Sequence, residues 1–310
     1  MRNIPVLHAS GKTLAMAFEN ALVALDAGGA RLKTQYDKPG DPESIDATMC
    51  ITVDDPLADP MIHKAFPGGM ADLREYVMEL EGVKDSWTKV VSDPDDTRWE
   101  YTYHGRLARY GAYKDRVGDG AGEHNIYGCV NAHVDQFAAV VSKLARQPFT
   151  RQAQMITWVP SLDLECYDPP CLQRIWLRAA EEDGVLWLNF NVSFRSNDAW
   201  GAWMMNAFGI TMMVDDLVAK PLAAAAGKEV RLGRLNWHAD SWHVYGKDIA
   251  QFRARLIDRI PTTTFEDRTI MFWDPEVQEM YRECEPGLVE KIRIQTGKMA
   301  ERDGRGSPAA

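Results

Sequence analysis

The chain has 310 residues, 45% hydrophobic and 26% charged, which supplies material for a sizeable core and excludes a disordered or fibrous class. Its 35 Lys and Arg against 45 Asp and Glu give a formal charge of -10, which excludes a protein that coats phosphate backbones with a broad basic face. A small anion held by a few local arginines is compatible with that balance.

The N-terminus has no cationic segment leading into a continuous apolar stretch, so no secretory signal is expected and the chain is placed in the cytoplasm. The uncharged run over 199–214 falls short of the ~18–20 residues needed to cross a bilayer, and no membrane segment is read. Five cysteines (Cys50, Cys129, Cys166, Cys171, Cys284) form no CxxC pair and no zinc-ligand spacing, so neither a disulfide framework nor a metal site is expected.

In chain order, apolar residues at helical spacing predict a helix over 13–25, stopped by Gly28 and Gly29. Prolines and glycines interrupt 33–69 around one strand, 47–53. A second helix, 70–81, ends at Gly82, and 99–113 is dense in aromatics that suit the wall of a planar ligand. A helix over 134–146 precedes strands at 154–159, 172–178 and 185–194, then a long helix over 199–220 and a strand over 234–245. With no repeat or compositional break, the expected architecture is α/β (α+β): one domain, 1–296, with a large mixed sheet flanked by helices, and a mobile polar tail over 297–310.

Three constellations carry chemistry. Cys171 lies in DPPCLQRIW, where two prolines and a following strand give the rigid presentation a nucleophile needs; a buried core cysteine is the plainer reading of a lone thiol. Arg195 and Ser196, in FRSND ahead of the long helix, suit an anion near a helix N-terminus, while Ser196 or Asp198 acting only as an N-cap explains the same pattern. His243 and Tyr245 stand two apart on a strand and share a face, where they can hold a sugar hydroxyl or serve the fold.

From Asp135 to Asp248, the segments DQFAAVVSKLARQPFTRQAQMITWVPSLD, DPPCLQRIW, LNFNVSFRSND, MMNAFGI and DSWHVYGKD carry Arg, Pro-Pro-Cys, Arg-Ser-x-Asp, Asn and His-x-Tyr in one order and spacing. On these motifs the chain resembles the thymidylate synthase superfamily over about residues 70–250. The resemblance implies that Cys171 is the thiolate that adds to C6 of a pyrimidine nucleoside monophosphate, making C5 a carbon nucleophile. It gives Arg195 and Ser196 to the phosphate, and Arg151 to the phosphate of the second subunit in a homodimer. It sets Asp198 near the pyrimidine, makes Asn206 the side chain that reads the base, and gives His243 and Tyr245 to the 3′-hydroxyl. Glu75 matches the acid/base glutamate, where a surface helical Glu is otherwise the default. Trp99 and Tyr110 are read as site walls or core aromatics. The implied cofactor is 5,10-methylenetetrahydrofolate.

The departures bear on the product. Gln152 replaces an arginine, Leu172 a histidine and Phe194 a glutamine, and Asp96 stands where the family places a tryptophan that shields the one-carbon intermediate. A polar residue there is expected to admit water, so the expected activity is 5-hydroxymethylation of cytidylate. Thymidylate synthesis or hydroxymethylation of uridylate is the alternative, because Asn206 goes with uridylate in the family. An inactive nucleotide-binding regulator and a structural interaction protein are the readings from other classes.

Overall fold

Thr13 accepts a hydrogen bond from the amide of Met16 and opens the first helix, α1 (Leu14–Gly28), which Gly29 closes by donating to the Leu25 carbonyl. These details belong to a computed structural model that describes residues 3–117, 120–126 and 133–302; Cys129 and the end of the sequence-read tail lie outside the described residues. In chain order the remaining helices are α2 (Met70–Leu80), α3 (Tyr103–Ala108), α4 (Gln136–Arg146), α5 (Pro160–Asp163), α6 (Trp203–Val214), α7 (Lys220–Ala226), α8 (Ile249–Phe252), α9 (Pro275–Glu283) and α10 (Glu285–Arg302). The strands are β1 (Val6–Gly11), β2 (Ala30–Leu32), β3 (Ser44–Val53), β4 (Ile62–His63), β5 (Ala112–Val117), β6 (Gly120–Asn125), β7 (Ala153–Ile156), β8 (Leu172–Glu182), β9 (Val185–Asp198), β10 (Val230–Val244) and β11 (Thr269–Ile270).

The main sheet runs β1-β3-β10-β9-β8-β7, with β2 also paired to β3. It is mixed: β1 and β3 are parallel, as are β10 and β9, while β10–β3, β9–β8 and β8–β7 are antiparallel. Strict alternation along β9 buries Leu186, Leu188, Phe190, Val192 and Phe194 on one face and leaves Asn189, Asn191 and Ser193 half-buried on the other. Helix α6 is apolar around most of its circumference because it is a core helix, which explains why 199–214 reads as a near-continuous apolar run. Trp203 stacks on Phe18 of α1 at 5.9 Å and meets Trp237 of β10 edge-on at 5.8 Å. No helix among the described residues is long and apolar enough to cross a membrane.

The structure departs from the sequence reading at several elements. β1 was not anticipated; its side chains are mostly exposed, so its pattern is weak. The long helix begins at Trp203, and neither Ser196 nor Asp198 caps it. It continues through a wide π turn over Asp215–Ala219, and Pro221, which has no amide to donate and whose ring crowds the preceding turn, sits just beyond that turn. Helix α10 extends through Arg302, so residues 297–302, read as tail, are helical.

Two irregularities set up one end of the sheet. The β8–β9 register shifts between Leu172 and Arg174, directly after Cys171, and the β10–β3 register shifts between Ala239 and Trp242, directly before His243. Bulges of this kind re-aim side chains at a sheet's rim.

Candidate active site

Cys171 occupies the turn into β8, and its neighbours pin its backbone on both sides. The Arg195 amide donates to the Cys171 carbonyl at 2.9 Å, and the amide of Leu172 donates to the Tyr103 hydroxyl at 3.2 Å. The Arg195 guanidinium donates from Nε to the Pro170 carbonyl at 3.1 Å and from Nη2 to that of Pro169 at 2.5 Å. One arginine therefore clamps the two prolines that lead into the thiol through Nε and Nη2. Burial pushes the Cys171 thiol up; the nearby Arg195 pulls it partly back and Asp168 reinforces the rise.

His243 is buried, with Nδ1 3.2 Å from Ser241 Oγ, and Ser241 donates to Asp46 at 2.7 Å. Its Nε2 is buried without a hydrogen-bond partner. A ring fixed at one nitrogen and open at the other is the arrangement that receives a ligand hydroxyl. The Tyr245 ring meets His243 edge-on at 4.6 Å, and burial, followed by Asp198, Tyr36 and Cys171, pushes its phenol up to about 12. Asp198 Oδ1 accepts from the amides of Trp200 at 3.0 Å and Gly201 at 2.8 Å, an Asx-type turn at the end of β9. A Cβ on Gly201 would fall 2.5 Å from Asp198 Oδ2, so only glycine lets the turn close this tightly on the carboxylate. Burial is the main reason its carboxyl is raised. Ser196 lies beside Arg195, opposite Ser241 of β10.

Asn206, on α6, is buried. Its Oδ1 accepts from Asn197 Nδ2 at 2.9 Å and its Nδ2 donates to the Tyr76 hydroxyl at 2.7 Å. Burial drives the Tyr76 phenol well above its ordinary value, with Tyr103, Glu79 and Cys171 adding to it, so α2 reaches the same site. Tyr101 and Tyr103 stack obliquely at 5.5 Å, both phenols raised by burial and by charge at Cys171. The buried Arg106–Asp163 pair, at 2.7 Å, ties α3 to α5 and so fixes where Tyr103 enters.

Five further residues from the sequence reading lie in the following settings. Glu75 is gripped by Lys84 at 2.9 Å and by Lys291 of α10 at 2.7 Å; burial pushes its carboxyl up, but the two ammonium groups outweigh that and hold it low. Trp99 is 41% exposed, its ring 5.4 Å from Trp87 and 5.4 Å from the Lys84 ammonium. The Tyr110 hydroxyl donates to the Trp158 carbonyl at 3.0 Å, whereas Tyr103 is the tyrosine at the thiol. Arg151 is exposed just ahead of β7, where its carbonyl accepts from the Trp176 indole of β8 at 3.0 Å, several residues along the strand from Cys171. Asp96, expected to admit water, is committed to its own loop: it pairs with Arg98 and accepts from the amide of Val90 at 3.0 Å. Burial pushes its carboxyl up, but these donors hold it far below the usual carboxylate range.

Sequence reasoning missed Tyr76, Tyr103, Asn197 and Glu79. Tyr103 stands in an aromatic-rich stretch and Tyr76 is a lone aromatic on a helix, and in both cases nothing but the fold separates a site tyrosine from a core one. Glu79 is one helical turn from Glu75, its carboxyl pushed up by burial against the pull of Lys84.

The sequence pattern of the thymidylate synthase family matches residues 79–281. Three archaeal relatives, each provisionally named a thymidylate synthase, align with parts of the chain. That of Methanothermobacter marburgensis is 32% identical over 36% of this chain and 45% of its own length. That of Methanococcoides burtonii is 26% identical over 57% of this chain and 76% of its own. The Methanocaldococcus jannaschii protein is 29% identical over 53% of this chain and 64% of its own. The chain thus spans about half the length of the first relative and about two thirds or more of the others. With that match over most of its length, a mixed sheet flanked by helices, and a thiol, guanidinium and imidazole at one end of the sheet, the chain belongs to the thymidylate synthase family.

Proposed function

We propose that this protein transfers a one-carbon unit to C5 of a pyrimidine nucleoside monophosphate, and that its product is 5-hydroxymethylcytidylate. The observation that carries the reading is the convergence of Cys171, the Arg195 fork and the open Nε2 of His243 at one end of the sheet. Cys171 Sγ bonds to C6 and the electron pair of the C5=C6 bond becomes available at C5. Arg195 and Ser196 hold the phosphate, His243 and Tyr245 the sugar hydroxyl, and Asn206 the base edge. Proton handling falls to α2: Glu75, kept ionised by two lysines, orders water, and Glu79, raised by burial, exchanges the proton.

Asp198, at the end of β9 and in register with His243, is placed near the pyrimidine. Methylenetetrahydrofolate, when bound, supplies the methylene group that C5 takes up. Hydroxymethylation then adds water to that carbon, expels the thiol and leaves tetrahydrofolate, whereas methylation oxidises the carrier to dihydrofolate. Hydration is supported by the polar Glu75–Lys84–Glu79 cluster beside the Trp87–Trp99 pair, and by the lack of an indole at position 96. The apolar Leu172 and Phe194, both fully buried, remove polar neighbours that would commit the site to uracil. Asn206 itself favours a second reading, methylation or hydroxymethylation of uridylate.

The enzyme is proposed to work as a homodimer in which Arg151 reaches the partner's phosphate site. Incubation with methylenetetrahydrofolate and CMP, dCMP, UMP or dUMP, followed by product mass and absorbance, tests the whole reading. A product heavier by CH2O with no dihydrofolate is expected from a cytidylate; stoichiometric dihydrofolate refutes hydroxymethylation, and turnover of uridylates alone refutes the base assignment.

A further inference from the structure

We propose that Tyr76 is a specificity-determining residue: its buried hydroxyl, able to accept or to donate, keeps the Asn206 amide anchored when that amide turns to face cytosine. This inference rests on the reading of Asn206 as the base-recognition side chain.

A carboxamide has two donors and two acceptor positions. In the structure Asn197 takes one acceptor position on Oδ1 and Tyr76 takes one donor on Nδ2, at 2.9 and 2.7 Å. One donor and one acceptor remain side by side. That pair matches N3–H and O4 of uracil in one orientation, and N3 and the N4 amino group of cytosine in the other. The orientation therefore decides the base, and the neighbours anchor the amide in it.

Both neighbours can invert together. The Tyr76 hydroxyl accepts from Asn206 here, and it can instead donate to Oδ1. Asn197 Oδ1 is buried without a hydrogen-bond partner among the described residues, and turning the Asn197 amide over brings it to accept from a reversed Asn206. An aliphatic residue at 76 would offer neither option, and a fixed donor or acceptor would permit only one. Tyrosine is thus the group that lets the amide turn toward cytosine while still anchoring it. The hydroxyl is held on target because Gly209 of α6 makes room for its ring: a Cβ there would come within 2.5 Å of Tyr76 Cδ1. The Tyr76 side chain is buried and shielded from bulk water, so it is not replaced by solvent as a partner.

Tyr76→Phe removes the hydroxyl and keeps the ring. Release of tritium from C5-labelled CMP and UMP by the full-length enzyme reads the cytidylate-to-uridylate ratio of kcat/KM, with calorimetric titration of each nucleotide alongside. The expected result is a ratio moved about five- to tenfold toward unity, the scale of one lost hydrogen bond to a buried group, carried mainly by KM and nucleotide affinity with the thermal midpoint little changed. Asn197→Ser removes the other anchor and carries the same expectation, so the test stands if Tyr76→Phe does not fold. An unchanged ratio in both folded variants overturns the assignment of Tyr76 while leaving the proposed function intact. Absence of tritium release from every nucleotide by the unmodified enzyme overturns the proposed function and this assignment together.

Discussion

At Cys171 two influences compete. Burial favours the neutral thiol, and Arg195 favours the thiolate without fully compensating. Because the thiol is raised, the reactive anion is a minor species at neutral pH and grows as pH rises. C5 tritium release is accordingly expected to climb across about pH 7–9, and Cys171→Ala is expected to abolish it while nucleotide titration still gives binding. The two carboxylates of α2 should separate in a pH profile. Glu79→Gln is expected to remove the acidic limb of kcat with a loss of roughly 100-fold, whereas Glu75→Gln should lower kcat by a similar factor at every pH. Equal profiles for the two variants would contradict the division of roles. Cys171, Arg195 and His243 were legible as candidates because the family motifs mark them, whereas their local patterns alone fit a core cysteine, a helix cap and a structural histidine equally well or better. Tyr76 and Asn197 were not, since their significance lies in a contact between α2, β9 and α6 that spacing does not encode.

Contacts between elements decide whether those side chains meet. Helices α2 and α6 approach closely at Gly209, where a methyl group would collide with the Tyr76 ring. Gly209→Ala is expected to cost roughly 1–3 kcal/mol in denaturant unfolding and to weaken nucleotide affinity, because relief of the clash moves Tyr76. Elsewhere Glu19 of α1 accepts from Arg268 at 2.8 Å and from His63 of β4 at 2.9 Å, joining α1 to the small β4–β11 sheet. Burial pushes the Glu19 carboxyl up, yet those two partners hold it at about 2. The sign follows: this stabilisation is present above about pH 4.5 and fades as pH falls toward 2. Glu19→Gln is expected to lower stability at pH 7 by roughly 1.5–3 kcal/mol and to flatten the loss of stability on acidification, measured by urea unfolding at pH 7 and pH 4. The helices α1, α2 and α4 were readable from periodicity and caps. By contrast, β1 and the β4–β11 pair were not, because an exposed or two-residue strand has too little alternation to stand out.

Across the whole molecule, Arg151 lies beside the middle of β8 and Cys171 just ahead of its start, and the proposed homodimer would bring the partner's arginine to the phosphate. Mixed Arg151→Ala and Cys171→Ala chains are expected to regain about a quarter of normal activity after subunit exchange, since half the dimers are mixed and each holds one intact site. No recovery after verified exchange would place the whole site in one chain. The mixed sheet was legible from its long strands, but the C-terminal helices were not foreseen, their charged sequences showing only a thin apolar stripe. The last of those helices braces the candidate site. Helix α10 lays Leu288 and Ile292 against Met78 and Trp87, sends Thr296 to the Trp87 indole and Lys291 to Glu75. The wall that carries Glu75, Tyr76 and Glu79 is therefore braced by residues more than 200 positions further along the chain. Removing α10 from Leu288 onward is expected to loosen the proposed proton-handling helix and lower activity although it deletes no residue of the candidate site, a loss that steady-state rates of the truncated chain would read.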